Sequence, residues 1–156
     1  MHECGEAREV KLPFEQDREL PGGKPQGEGV PPQSVMRAGL EAYVQRINDG
    51  DLKGLLSLFA PDAIIEDPVG SPVKQGEEIA AWFSDTIAFQ TRITPVAPIR
   101  GSHSNAAALV FDVTFQPPEG PRLLIRSLDI CTFDAQGRIT SLKAYWGPGD
   151  IQPAPE

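Results

Sequence analysis

Cysteine, histidine, basic residues and long apolar runs are all scarce in this chain. Its two cysteines, Cys4 and Cys131, and its two histidines form no zinc-binding or dithiol spacing, so neither a metal centre nor a disulfide framework is expected. The longest unbroken apolar stretch, Ala106 to Phe111, falls far short of the roughly 18 residues that cross a bilayer. Lysine and arginine total 14 against 22 acidic residues, a formal net charge of −8, and no basic run is interleaved with aromatics. Nucleic acid and anionic membranes are therefore not expected as partners. The opening Met1-His2-Glu3-Cys4-Gly5-Glu6 has no basic start leading into an apolar core, which reads as a cytoplasmic protein without a secretory signal.

What is present suits one domain: 156 residues with 40% hydrophobic side chains make a single core of ordinary size. Glycine and proline are concentrated in residues 1–34, where five of each occur among charges of no regular period. That segment reads as a mobile extension. Residues 35–148 carry the domain, and 149–156 read as a short tail.

Met36, Leu40, Tyr43, Val44 and Ile47 recur at the spacing of one helical face, and Asn48-Asp49-Gly50 offers a left-handed stop. Asp51 then caps a short second helix carrying Leu52, Leu55, Leu56 and Phe59, ended by Pro61. Ala63 to Asp67 predicts a strand broken by Pro68, and Val69 to Pro72 a loop. Ile79, Trp82, Phe83 and Ile87 predict a third helix from about Glu77 to Phe89. The remainder is strand-like: Thr91 to Arg100, Ala106 to Phe115, Arg122 to Phe133, and Ile139 to Trp146 across the turn Asp134-Ala135-Gln136-Gly137. Helices followed by an antiparallel meander predict an α+β fold in which a curved sheet packs one face on the helices and can enclose a pocket.

Three polar residues stand out. Asp129 sits in the middle of the apolar strand Leu128-Asp129-Ile130-Cys131, where a carboxyl must find a partner or stay neutral. On a two-residue period it shares a face with Leu123, Ile125, Ser127, Cys131 and Phe133, while Arg126 points away. Asp67 before Pro68 also fits a simple turn opener. Tyr43 on the apolar helical face also fits a core tyrosine. If the three converge, they are two carboxyls and a phenol on one cavity, which is equipment for moving a proton next to a carbonyl.

Four segments, LEAYVQRINDGD at 40–51, IIEDPVGSP at 64–72, IAAWF at 79–83 and SLDICTFDAQGRITSLKAYW at 127–146, resemble bacterial ketosteroid isomerase. That family belongs to the nuclear transport factor 2-like superfamily. The resemblance covers roughly residues 35–148. It implies a cone-shaped α+β barrel, a curved mixed and mainly antiparallel sheet with about three N-terminal helices around an apolar pocket. It places the general base on Asp67, the oxyanion-binding tyrosine on Tyr43 and a protonated aspartic acid on Asp129; ketosteroid isomerase is itself the reference case of a carboxylic acid kept neutral by an apolar site. The implied reaction moves a double bond in a 5-ene-3-keto steroid to give the conjugated 4-ene ketone, without metal or organic cofactor. Trp82, Phe83, Leu109, Phe111, Val113 and Trp146 are the expected apolar walls, and a homodimer is expected, its interface covering Leu124, Leu128 and Ile130 on the face opposite Asp129.

The chain departs from this family where supporting tyrosines are replaced by Phe59 and Phe83, with Ser84 the other residue able to hold the second place. Trp82 stands where the family has a smaller phenylalanine. Two other readings follow: a non-catalytic dimeric module for a hydrophobic small molecule, and an isomerase-like enzyme for another enolisable ketone. Epoxide hydrolases of the superfamily use an Asp-Arg-Asp arrangement that Arg126 and Asp129, on opposite faces, do not make. Cyclases and dehydratases place a histidine in the cavity, whereas His103 lies in the polar turn Gly101 to Asn105.

Overall fold

The computed structural model describes residues 29–155. Most of the N-terminal extension, residues 1–28, lies outside the described residues. Helix α1, Gln33–Asp49, buries Met36, Leu40, Tyr43 and Ile47, the face that the spacing predicts. It ends at Gly50 in the left-handed conformation, φ 68°, with the Gly50 and Asp51 N–H groups donating to Ile47 and Arg46 carbonyls. Asp51 Oδ1 accepts from Gly54 N at 2.9 Å and caps α2, Leu52–Leu56.

The next element starts earlier than the sequence suggests. Phe59 opens strand β1, Phe59–Glu66, rather than closing a helix, and Pro61 lies inside the strand. A register irregularity between Phe59 and Ile64 on the β6 side absorbs the proline, which has no N–H to give a ladder. A two-residue strand β2, Lys74–Gln75, pairs antiparallel with Ile65 and Ile64 where none was expected. Helix α3, Glu77–Ala88, follows, with Ile79 and Phe83 buried.

Strands β3 (Arg92–Pro95), β4 (Ala106–Phe115), β5 (Leu123–Phe133) and β6 (Ile139–Tyr145) form the body of the sheet. The order is β2-β1-β6-β5-β4-β3, antiparallel except for the parallel pair β1 and β6. The α+β cone with three helices and a curved mixed sheet is therefore the observed fold. The chain end differs from expectation. After a 3-10 turn at Pro148–Asp150, strand β7, Ile151–Pro153, pairs with Leu123 to Ile125 of β5, so residues 149–156 are not simply a tail. Being long, β5 holds β6 along its second half and β7 along its first.

Helices and sheet share one core, which includes Met36, Leu40, Leu55, Ile65, Phe83, Leu109, Phe133 and Leu142. Asn48 fastens α1 to the sheet edge. Its Nδ2 donates to Ile93 O at 2.9 Å and its Oδ1 accepts from Ile93 N at 2.7 Å. Its side-chain amide thus pairs with β3 as a neighbouring strand would, fixing the helix that carries Tyr43.

Candidate active site

Period-two alternation along β5 buries Ile125, Ser127, Asp129, Cys131 and Phe133 and exposes Arg126 and Ile130. Arg126 lies outside, 3.7 Å from Asp112 Oδ1. The inward face of β5, with β4 beside it and α1 and α3 across from it, borders a cavity of ≈ 340 Å³, within the range of small-molecule sites.

Tyr43 reaches this cavity from α1, Asp67 from the end of β1, Trp82 and Phe83 from α3, Phe111 and Val113 from β4, and Trp146 from the end of β6. Seven of the nine residues expected at the site therefore line it. Leu109 does not: it is fully buried, pairs across the sheet with Asp129, and belongs to the core beyond the cavity's inner end. Asp129 lies at that same level, 2% exposed, just behind the wall formed by its neighbours Ser127 and Tyr43. Phe89, Thr91, Phe115 and Ile151 line the other end and are less buried, which makes that end the mouth.

Tyr43 is held between two phenyl rings, with centroids 6.5 Å to Phe59 and 6.1 Å to Phe83, both edge-to-face. Those rings are 5.3 Å from each other. Phe59 and Phe83 thus occupy the surroundings of Tyr43 where further hydroxyls were missed, whereas Ser84 is exposed. The Trp146 indole Nε1 donates to Asp67 Oδ1 at 2.9 Å. Lys74 Nζ sits 4.2 Å from the centre of the Trp82 ring.

The two carboxyls live in different environments. Asp129 is pushed well above the ordinary carboxyl range, first by burial and then by the negative charge of Asp67. Its Oδ1 has no hydrogen-bond partner among the described residues. Ionising such a group without a partner is far costlier than leaving it protonated, so Asp129 is the neutral carboxylic acid. Burial also raises Asp67, but the Trp146 hydrogen bond and the Lys74 charge pull it back. Asp67 stays above the ordinary carboxyl range, yet of the two carboxyls it is the one whose neighbours favour the ionised form. Burial, Asp129, Asp67 and Cys131 all raise Tyr43, so the phenol keeps its proton.

Residues 40–142 match the SnoaL-like domain model. The chain belongs to the SnoaL-like family. This SnoaL-like chain is 32% identical over 120 residues to a steroid Delta-isomerase of Nocardioides simplex, an alignment covering 77% of this chain and 96% of that protein. It is 29% identical over 135 residues to the epoxide hydrolase LasB of Streptomyces lasalocidi, covering 81% of this chain and 48% of LasB. The solved structure of SalBIII, described as an epoxide hydrolase/cyclase-like enzyme of pyran ring formation in salinomycin, shares the fold with TM-score 0.73. That match is 24% identical and covers 78% of this chain and 97% of SalBIII.

The SnoaL-like cavity also uses residues that the sequence did not single out. Ile47 is one turn beyond Tyr43 on the same helical face, and Ser127 and Ile125 share the face of Asp129, so their positions followed from spacing. Asp85, Thr86, Thr91 and Ile151 had no such signal, because α3's polar side and a three-residue strand carry no distinctive pattern.

Proposed function

We propose that this chain is a steroid delta-isomerase-like enzyme that moves a carbon–carbon double bond next to a ketone by shuttling one proton. The carrying observation is that Asp67, held by Trp146, and the buried phenol of Tyr43 line one apolar cavity, with the buried carboxyl of Asp129, unpartnered among the described residues, just behind its wall. Asp67 takes a proton from the carbon between the ketone and the double bond. Tyr43 and Asp129 donate hydrogen bonds to the enolate oxygen, and Asp67 returns the proton two carbons along. A positioned base contributes about 10² to 10⁴ in rate, and loss of one oxyanion donor costs about 10² to 10³.

Similarity to the Nocardioides simplex isomerase over nearly its whole length supports this reading. Hydrolysis or cyclisation of an epoxide is less supported, because among the described residues the cavity lining includes no Arg, Lys or His and Arg126 is outside it. The apolar packing of Phe59 and Phe83 around Tyr43 favours, as the second reading, a module that binds a flat hydrophobic molecule without turnover. The deciding assay is growth of conjugated-enone absorbance from a 5-ene-3-keto steroid. Turnover that collapses in Asp67→Asn and falls in Asp129→Leu supports the shuttle, while binding without turnover supports the module.

Pairing of two copies through the outer sheet face belongs to the same proposal. Of the expected residues Leu124 is buried, at the β7 end of β5, while Ile130 is exposed, 38%, beside Leu128, with Tyr145 and Val96, 46% and 55%, adding to the surface. Together they make an apolar patch that a second copy can cover.

A further inference from the structure

One polar group on the cavity wall has no part in the proton shuttle. Ser127 is 6% exposed and faces inward from β5 two residues before Asp129, and its Oγ is enclosed without a hydrogen-bond partner among the described residues. The residue lines the cavity between its cross-strand partner Phe111 and its neighbour Ile125. An unpaired hydroxyl in such surroundings is unfavourable, and an alanine or valine would complete this apolar wall without that penalty. Serine turns among three staggered rotamers about one bond, so a ligand at this wall can be met by the hydroxyl. The other polar groups are differently engaged. Thr86 Oγ1 donates to Trp82 O at 2.8 Å, Trp146 holds Asp67, and Asp85 and Thr91 lie towards the mouth.

We propose that Ser127 is a second hydrogen-bonding point for the ligand, a specificity-determining residue that selects a fused-ring ketone bearing another oxygen substituent. Two residues along an extended strand span about 7 Å, so that oxygen lies roughly this far from the one held by Tyr43 and Asp129. The substrate class is an oxygenated polycyclic ketone rather than a bare hydrocarbon skeleton. This assignment rests on the enolate-binding role of Tyr43 and Asp129.

Two rigid phenols test it. Naphth-2-ol offers one enolate-like oxygen, and 2,7-dihydroxynaphthalene offers two at a matching separation. Their Kd values are measured by fluorescence titration of wild type, Ser127→Ala and Ser127→Val. The diol is expected to bind wild type about 3- to 10-fold more tightly, beyond the twofold statistical gain of its two equivalent ends. Both variants are expected to lose that preference while holding naphth-2-ol within about twofold of wild type. A preference no larger than the statistical gain, or one that persists in both variants, overturns the assignment, as does failure of wild type to bind either phenol. Steroid turnover, assayed separately, distinguishes the two readings. A Ser127-dependent diol preference without turnover keeps this site and removes the isomerase reading, and turnover without the preference does the reverse.

Discussion

The indole N–H of Trp146 and the Oδ1 of Asp67 meet at 2.9 Å across 79 positions of sequence, joining the end of β6 to the end of β1. Those strands run parallel and adjacent, so the two chain segments that leave them arrive at the same cavity. The hydrogen bond favours the ionised carboxylate.

Trp146→Phe removes that donor. Asp67 must be ionised to accept a proton, so activity is lost as pH falls through its pKa, and anything that raises the pKa moves this loss to higher pH. The acid limb of the kcat/KM profile is expected to shift upward in Trp146→Phe. Lys74→Gln is expected to shift it in the same direction, because the ammonium lowers Asp67 through its charge. Only the Lys74 contribution should shrink at high salt. Unmoved acid limbs in both variants would show that a group other than Asp67 is titrating.

Phe83→Tyr places a hydroxyl on the ring nearest Tyr43. One added hydrogen bond to the phenol is worth about 2- to 10-fold, so turnover should rise by that factor and the Tyr43 pKa should fall. Steady-state kinetics and ultraviolet titration of the phenol measure the two effects. Neither changing would mean that Tyr43 does not bear the developing charge.

Asp129 predicts a slope of stability against pH. Below the ordinary carboxyl value of 3.8, folded and unfolded states are both protonated at this position. Above it the unfolded chain ionises while burial keeps the folded carboxyl neutral, so wild-type stability falls with rising pH until the folded pKa is reached. Asp129→Asn does not titrate. Its stability relative to wild type should climb from about pH 4 upward, by at most about 1.4 kcal/mol per pH unit, whereas Asp129→Leu, which removes the donor altogether, should drop turnover by about 10² to 10³. Urea unfolding at a series of pH values reads the first effect, and a flat difference would place a charged Asp129 in the folded protein.

The outer face of the sheet predicts assembly. Sedimentation at micromolar concentration should give a dimer, and Ile130→Lys should shift it to monomer without loss of fold by circular dichroism. A wild-type monomer would remove the pairing of copies from the functional proposal.

Much of this arrangement was legible in the residues. Met36, Leu40, Tyr43 and Ile47 fall on one helical face, and that spacing alone placed Tyr43 indoors. Alternation along 123–133 put Asp129 inside and Arg126 outside. The failures have physical reasons. Alternation says which face a residue points to but not how deep along the strand a cavity runs, so Leu109 looked equivalent to Phe111 although the cavity stops between them. Pro61 looked like a helix terminator because a bulged strand tolerates proline as readily as a helix end does. Strands β2 and β7, two and three residues long, are too short for any period and are defined only by their partners.

Strand β7 also has a protective effect at the sheet's margin. Its pairing occupies the side of Leu123 to Ile125 that β6 leaves free. Without it, those backbone groups would form an open ladder beside an apolar cavity, the kind of edge onto which a foreign strand adds and from which aggregation spreads. Strand β7 therefore closes that stretch of edge while Ile151 shapes the entrance.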